Sequence, residues 1–181
     1  VDLGLAVFGH IKGGLGYVVI IASIIFAGLS GSALADAAAL GAILLPMMVK
    51  GGYDKGQSMG LIASGSLIAL VIPPSISLIM YGAIANVSIT KLFMAGFAPG
   101  IYMAIGLCVT WFIITKRNKN IQVLPKKSFG EIWKAFTSAI WALILPCIII
   151  FGLRGGIFTP TEAASVAVFY ALFVSLFIYK E

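Results

Sequence analysis

Two places in this sequence set hard-oxygen chemistry inside apolar surroundings. The stretch GLSGSALADAAALG, from Gly28 to Gly41, carries Ser30, Gly31 and Ser32 as a small polar turn, with a carboxylate, Asp36, four residues beyond it. Further on, Ser64-Gly65-Ser66 and Pro73-Pro74-Ser75 interrupt a second apolar segment. Carbonyls released by unwound helix, with hydroxyls or a carboxylate beside them, are the ligands that sodium and proton coupling sites use within membranes. Glycine at 31 and 65 lets two backbones approach closely around a small ion. Asp36 admits three uses: direct cation binding, proton carriage, or capping and orienting the helix that follows the turn. Its place in a first helical turn lets the helix dipole account for it without a transport role. It is therefore read as structural support.

No enzymatic constellation competes with this reading. The sequence has no GxSxG, HExxH, P-loop or paired-carboxylate motif, and its single histidine, His10, sits beside Lys12 near a membrane entry point. A lone histidine cannot build a metal site. Cys108 and Cys147 lie in apolar helical sequence without CxxC spacing, as packing or lipid-facing residues do. The expectation is a protein that is not an enzyme and has no cofactor.

The elements that must position these residues belong to a membrane protein. Hydrophobic residues make up 61% of the 181 and charged residues 10%, more apolar surface than a soluble domain of this size can bury. The net charge of +6 does not indicate nucleic acid. Its basic residues, Lys116, Arg117, Lys119, Lys126, Lys127 and Lys134, cluster between apolar spans against Glu131 alone, as in a cytoplasmic loop under the positive-inside rule. The chain opens on Val1 and stops at Glu181 directly after an apolar helix, and reads as a fragment of something larger.

Gly13 to Leu29 and Ala33 to Val49 are apolar arms of about 25 Å each, short for a hydrocarbon core of about 30 Å. Joined by Ser30-Gly31-Ser32, they read as a re-entrant hairpin over residues 13–50. Lys12 at one end and Lys50 with Lys55 at the other place both ends on the cytoplasmic side, a parity that an ordinary pair of thin transmembrane helices also satisfies. Residues 54–85 read as a discontinuous helix broken at Ser64-Gly65-Ser66 and at Pro73-Pro74-Ser75, since the prolines lack an N–H and push Ile72 and Pro73 out of helical conformation. A proline kink used only for packing is the competing explanation. After a polar break at Asn86–Lys91, a span at 95–115 begins near GFAPG and returns inward to a basic loop at 116–137. In that loop Phe129, Ile132, Trp133 and Phe136 fall at helical spacing, as an amphipathic interfacial helix or as the start of the next span. A span at 138–153 with a kink at Pro146 leads to a last helix at 159–179. That helix opens on Thr159-Pro160-Thr161-Glu162, a capping box in which Glu162 is structural.

These residues resemble the large membrane subunit of tripartite ATP-independent periplasmic (TRAP) transporters, the DctM-like family. GGLGYVVIIASIIFAGLSGSALADAAALGAILLPMMVKGGYD resembles its first re-entrant hairpin, SGSLIALVIPPSISLIMYG its adjacent broken helix, and GIFTPTEAASVAVFYAL its mid-chain helix. The resemblance implies an all-α, multi-pass protein of a bacterial or archaeal inner membrane: the first part of an inverted-repeat, elevator-type transporter. It implies sodium-driven uptake of organic acids such as C4-dicarboxylates or sialic acid, delivered by a periplasmic substrate-binding protein, with a small membrane subunit completing the permease. It also implies a sodium site drawn from Ser30, Gly31, Ser32, Ser64, Gly65, Ile72 and Ser75, with Asp36, Pro73 and Pro74 in support. A second repeat would follow the helix that starts TPTEA, so substrate-contacting residues are left unassigned. A divalent-anion/sodium symporter of related elevator build, and a non-transporting scaffold or channel segment, are the competing readings.

Overall fold

The computed structural model describes residues 2–117 and 127–179, which are helical with short connections and, among the described residues, no strand. A brief helix α1 (Asp2–Phe8) precedes a helical hairpin, α2 (Gly14–Ser30) and α3 (Ala33–Lys50). The turn between them follows from Gly31 at φ 60°, a left-handed conformation open to glycine, and from Ser32, whose hydroxyl caps α3 by accepting from the Ala35 N–H. At 18 residues α3 is long and apolar enough by itself to cross a membrane; α2, at 17, is counted among the shorter apolar helices.

The discontinuous helix consists of α4 (Lys55–Ser66), capped by Asp54, a 3-10 turn over Leu67–Leu70, an irregular stretch, and α5 (Ile76–Ala85), capped by Ser75. Ser64-Gly65-Ser66 is the last turn of α4, and the α-helix gives way directly after it to the 3-10 turn, so the interruption expected there is a tightening of the helix and not an unwound break. Ser66 donates its hydroxyl back to the Ile62 carbonyl at 2.9 Å and stays within the helical turn. The single break lies at Val71–Ser75, where the Pro73–Pro74 peptide is cis.

α6 (Ile89–Arg117) is a 29-residue helix that starts well before the expected span, with the GFAPG segment inside it. Ser88 starts it by accepting from the Lys91 N–H. α7 (Phe129–Arg154) joins the two alternatives for its sequence: it is one helix bent by 48° between Phe129–Thr137 and Ala139–Ile149. The bend precedes Pro146. Phe129, Ile132, Trp133 and Phe136 line an apolar cleft of about 710 Å³ with parts of α1, α2 and α3. The expected basic loop falls largely on residues 118–126, outside the described residues. The last helix, α8 (Pro160–Phe173), continues as a π-turn over Val174–Tyr179 and begins with the expected capping box. By length and composition α3 and α6 can cross a membrane, and the bent pair in α7 can form a third span. The protein is an all-α membrane protein.

The main core lies between the hairpin, α4, the 3-10 turn and α6, with Ile20, Leu40, Leu44, Ile68 and Trp111 buried. Trp111 ties it together. A Cβ at Gly16 would collide with its indole, the ring stacks on Tyr53 at 5.7 Å, and its N–H donates to the Gly13 carbonyl at 2.8 Å. Nearby, Lys12 donates to the Lys116 carbonyl at 3.4 Å, so the start of α2 and the end of α6 share one level.

Trp111→Phe removes the indole donor to the Gly13 carbonyl, which still accepts from the Gly16 N–H, a loss of about 0.5–1.5 kcal/mol, visible as a lower melting temperature of the purified full-length protein. Phe112→Leu, at a site 56% exposed, leaves it unchanged. At the start of α8, the Thr159 backbone N–H donates to Glu162 at 2.7 Å and holds its carboxyl below the usual glutamate range. The carboxylate's contribution is therefore full at neutral pH and fades as pH falls through that lowered value. A melting difference between wild type and Glu162→Gln that shrinks on acidification checks this sign.

Candidate functional site

The hairpin turn and the Pro73-Pro74-Ser75 break meet. The Ile76 N–H donates to the Gly31 carbonyl at 3.3 Å, and a Cβ at Gly31 would collide with the Pro74 carbonyl oxygen. Glycine at 31 is thus required twice, for its positive φ and for the closeness of the second backbone. Ser75 is buried and donates to the Leu70 carbonyl at 2.7 Å, spanning the break, while its oxygen accepts from Leu78. Each interruption thereby presents one helix C-terminus, with carbonyls, and one helix N-terminus, with amides.

On the hairpin side, the Ser32 N–H donates to the Ser30 hydroxyl oxygen at 3.1 Å, and the Ser30 hydroxyl donates to Asp36 Oδ1. Asp36 is wholly buried, and its Oδ2 has no hydrogen-bond partner among the described residues. A carbonyl-rich junction with a buried carboxylate one shell behind it suits a cation held by hard oxygens.

Of the residues expected at the site, Gly31 touches Pro74 and bonds to Ile76, beside Ser75; Ser30, Ser32 and Asp36 are joined to that junction by hydrogen bonds. Ile72 is buried in the break, and its N–H donates to the Ile68 carbonyl at 2.9 Å. Gly65 faces Ser23 of α2, where a Cβ would strike the serine hydroxyl. Ser23 lies about two helical turns before the hairpin turn. Ser64, next to it, is half-buried.

A further part of the site was not expected. A Cβ at Gly96 of α6 would collide with the Val71 carbonyl, and one at Gly100 would collide with Ile72. The two glycines, four residues apart in GFAPG, form a groove that takes the unwound backbone. Their GxxxG spacing was the available signal. Pro99 between them adds a missing N–H to the same stretch of helix.

The whole chain, residues 1–181, matches the family described as tripartite ATP-independent periplasmic transporter, DctM component. The chain belongs to the DctM family. A Haemophilus influenzae protein named provisionally as a TRAP transporter large permease is 57% identical over 94% of this chain. The Escherichia coli K12 2,3-diketo-L-gulonate TRAP transporter large permease protein YiaN is 53% identical over 100% of the chain. The H. influenzae sialic acid TRAP transporter permease protein SiaT is 42% identical over 97%. The chain spans 42% of the length of the first two relatives and 28% of the third. The hairpin, the broken helix and the groove of α6 all lie within the part this DctM chain covers.

Gly31→Ala in the full permease forces alanine to positive φ, a cost of about 1–2 kcal/mol, and drives its methyl at Pro74. The melting temperature of the purified full-length protein is expected to fall accordingly. Gly41→Ala, with open space at its Cβ, is the matched control and keeps the wild-type value.

Proposed function

We propose that this DctM segment supplies one hairpin and one broken helix of a coupling-ion site in a sodium-driven, binding-protein-dependent importer of organic acids. The observation that carries the reading is the junction itself, where the Gly31 carbonyl bonds to Ile76 and the Pro74 carbonyl faces Gly31. Carbonyls at two interrupted helix ends replace a hydration shell for a small hard cation, and the serines at 30, 32 and 75 add hydroxyls. In this reading α2 and α3 form a re-entrant hairpin whose turn lies at membrane depth, and hairpin, α4 and α5 move together as an elevator. Ser64 and Gly65 shape the backbone behind the ion.

The substrates named for two relatives, 2,3-diketo-L-gulonate and sialic acid, both carry a carboxylate. That supports an organic acid as cargo, captured by a periplasmic binding protein and passed to the permease in a cytoplasmic membrane, with a small membrane subunit completing the complex. Sodium is a coupling ion here and no resident cofactor is involved.

The test uses the full-length permease, its small subunit and its binding protein in proteoliposomes under an imposed sodium gradient. Uptake is expected to need both the gradient and the binding protein. Ser32→Ala and Ser75→Ala are each expected to raise the half-saturating sodium concentration roughly fivefold. Uptake that is indifferent to sodium removes the coupling-ion role; uptake without the binding protein returns the divalent-anion symporter reading.

A further inference from the structure

The apolar cleft between the hairpin and α7 plays no part in the junction of hairpin turn and broken helix. Its volume is about 710 Å³, and its walls come from α1, α2, α3 and both limbs of the bent α7. Along α2 the lining runs from Val18 to Phe26, about 12 Å of helix, close to the depth of one hydrocarbon leaflet at about 15 Å. So apolar a space offers water too few hydrogen bonds to fill it. The aromatic residues that line it stand beside cations in the chain. Lys12 lies in the turn that follows Phe8, Lys127 two residues before Phe129, and Lys134 next to Trp133; all three lysines are exposed. The sequence between 117 and 127 adds Lys119 and Lys126 and no acid. Glu131, the acid within this basic stretch, is committed to the start of α7, where it accepts from the Ser128 N–H at 2.8 Å.

We propose that this cleft is a lipid site: it takes an acyl chain of an anionic phospholipid, whose phosphate is met by Lys127 and Lys134, with Lys12 adding to the positive field. Charge selects the occupant. A further helix of the full-length permease would match the apolar walls, but it brings no anion to the lysines, whereas an anionic phospholipid supplies both a phosphate and a chain of leaflet depth. The leaflet on the basic side of a membrane protein is the one that carries anionic lipid, and a tryptophan such as Trp133 is at home at its headgroup level. Lys12 gives one ammonium proton to the Lys116 carbonyl at 3.4 Å and keeps its charge for the mouth of the cleft. Seated there, the lipid fills the angle between the hairpin and the bend of α7. The proposal is independent of sodium coupling.

The test titrates the purified full-length permease in detergent with phosphatidylglycerol and with phosphatidylcholine of identical acyl chains, and counts bound lipid by native mass spectrometry. One phosphatidylglycerol is expected to bind on the order of tenfold more tightly than phosphatidylcholine. The double variant Lys127→Gln, Lys134→Gln is expected to weaken phosphatidylglycerol about twentyfold, roughly fivefold per lysine, and to leave phosphatidylcholine unchanged. Both side chains are exposed, so the fold does not depend on them. Ala139→Phe, which puts a ring into the cleft, is expected to weaken both lipids. A phosphatidylglycerol with a photoactivatable group midway along its acyl chain is expected to label peptides of α2 and α7 in the wild type and to lose that labelling in Ala139→Phe. Equal binding of the two lipids, or wild-type binding by the lysine variant, overturns the proposal. Labelling that misses α2 and α7 also overturns it, and is the result if another helix of the permease fills the cleft.

Discussion

The contact on which the rest of the structure depends is the one between Gly31 and the segment Pro74–Ile76. It is made of backbone, so neither side can be replaced by a different side chain without moving the other. The hairpin turn needs a residue that tolerates positive φ and has no Cβ; the break needs a proline pair and a serine that can span it. Neighbouring features maintain those demands. The 3-10 turn brings the chain off α4, Ser75 restarts helix at α5, and the Gly96–Gly100 groove lets α6 press against the unwound backbone.

The opposite end of the core is held by a different kind of interaction. Trp111 fills the space left by Gly16 and hydrogen-bonds to the backbone just before α2. The hairpin is thus clamped at its base by an aromatic side chain and at its turn by main-chain carbonyls and amides. The first is an apolar contact with a single polar bond, while the second is a close approach of two backbones joined by a main-chain hydrogen bond.

Sequence reading reached the parts governed by local rules. Gly31 between two serines, the proline pair and the Thr159–Glu162 box each act within a few residues, and the structure has turn, break and cap where those residues stand. It went astray where helix continuity depended on tertiary contacts. Ser64-Gly65-Ser66 has the composition of a break but stays helical because Gly65 makes room for α2 and Ser66 bonds to its own helix. GFAPG looked like the beginning of a span for the same compositional reason, yet it is the interior face of a longer helix. The Ser30–Asp36 bond joins residues six apart across a turn, a distance at which no periodic pattern announces a contact.

The length of α6 gives its glycine groove a wider meaning. Its 29 residues extend about 43 Å, against a hydrocarbon thickness of about 30 Å. A helix that much longer than the bilayer tilts, or thickens the lipid around it, and the balance shifts with the acyl chains of the host membrane. Because Gly96 and Gly100 leave no clearance over Val71 and Ile72, a change in that tilt cannot be absorbed at the contact. The groove therefore ties the seat of the unwound backbone to the orientation of α6.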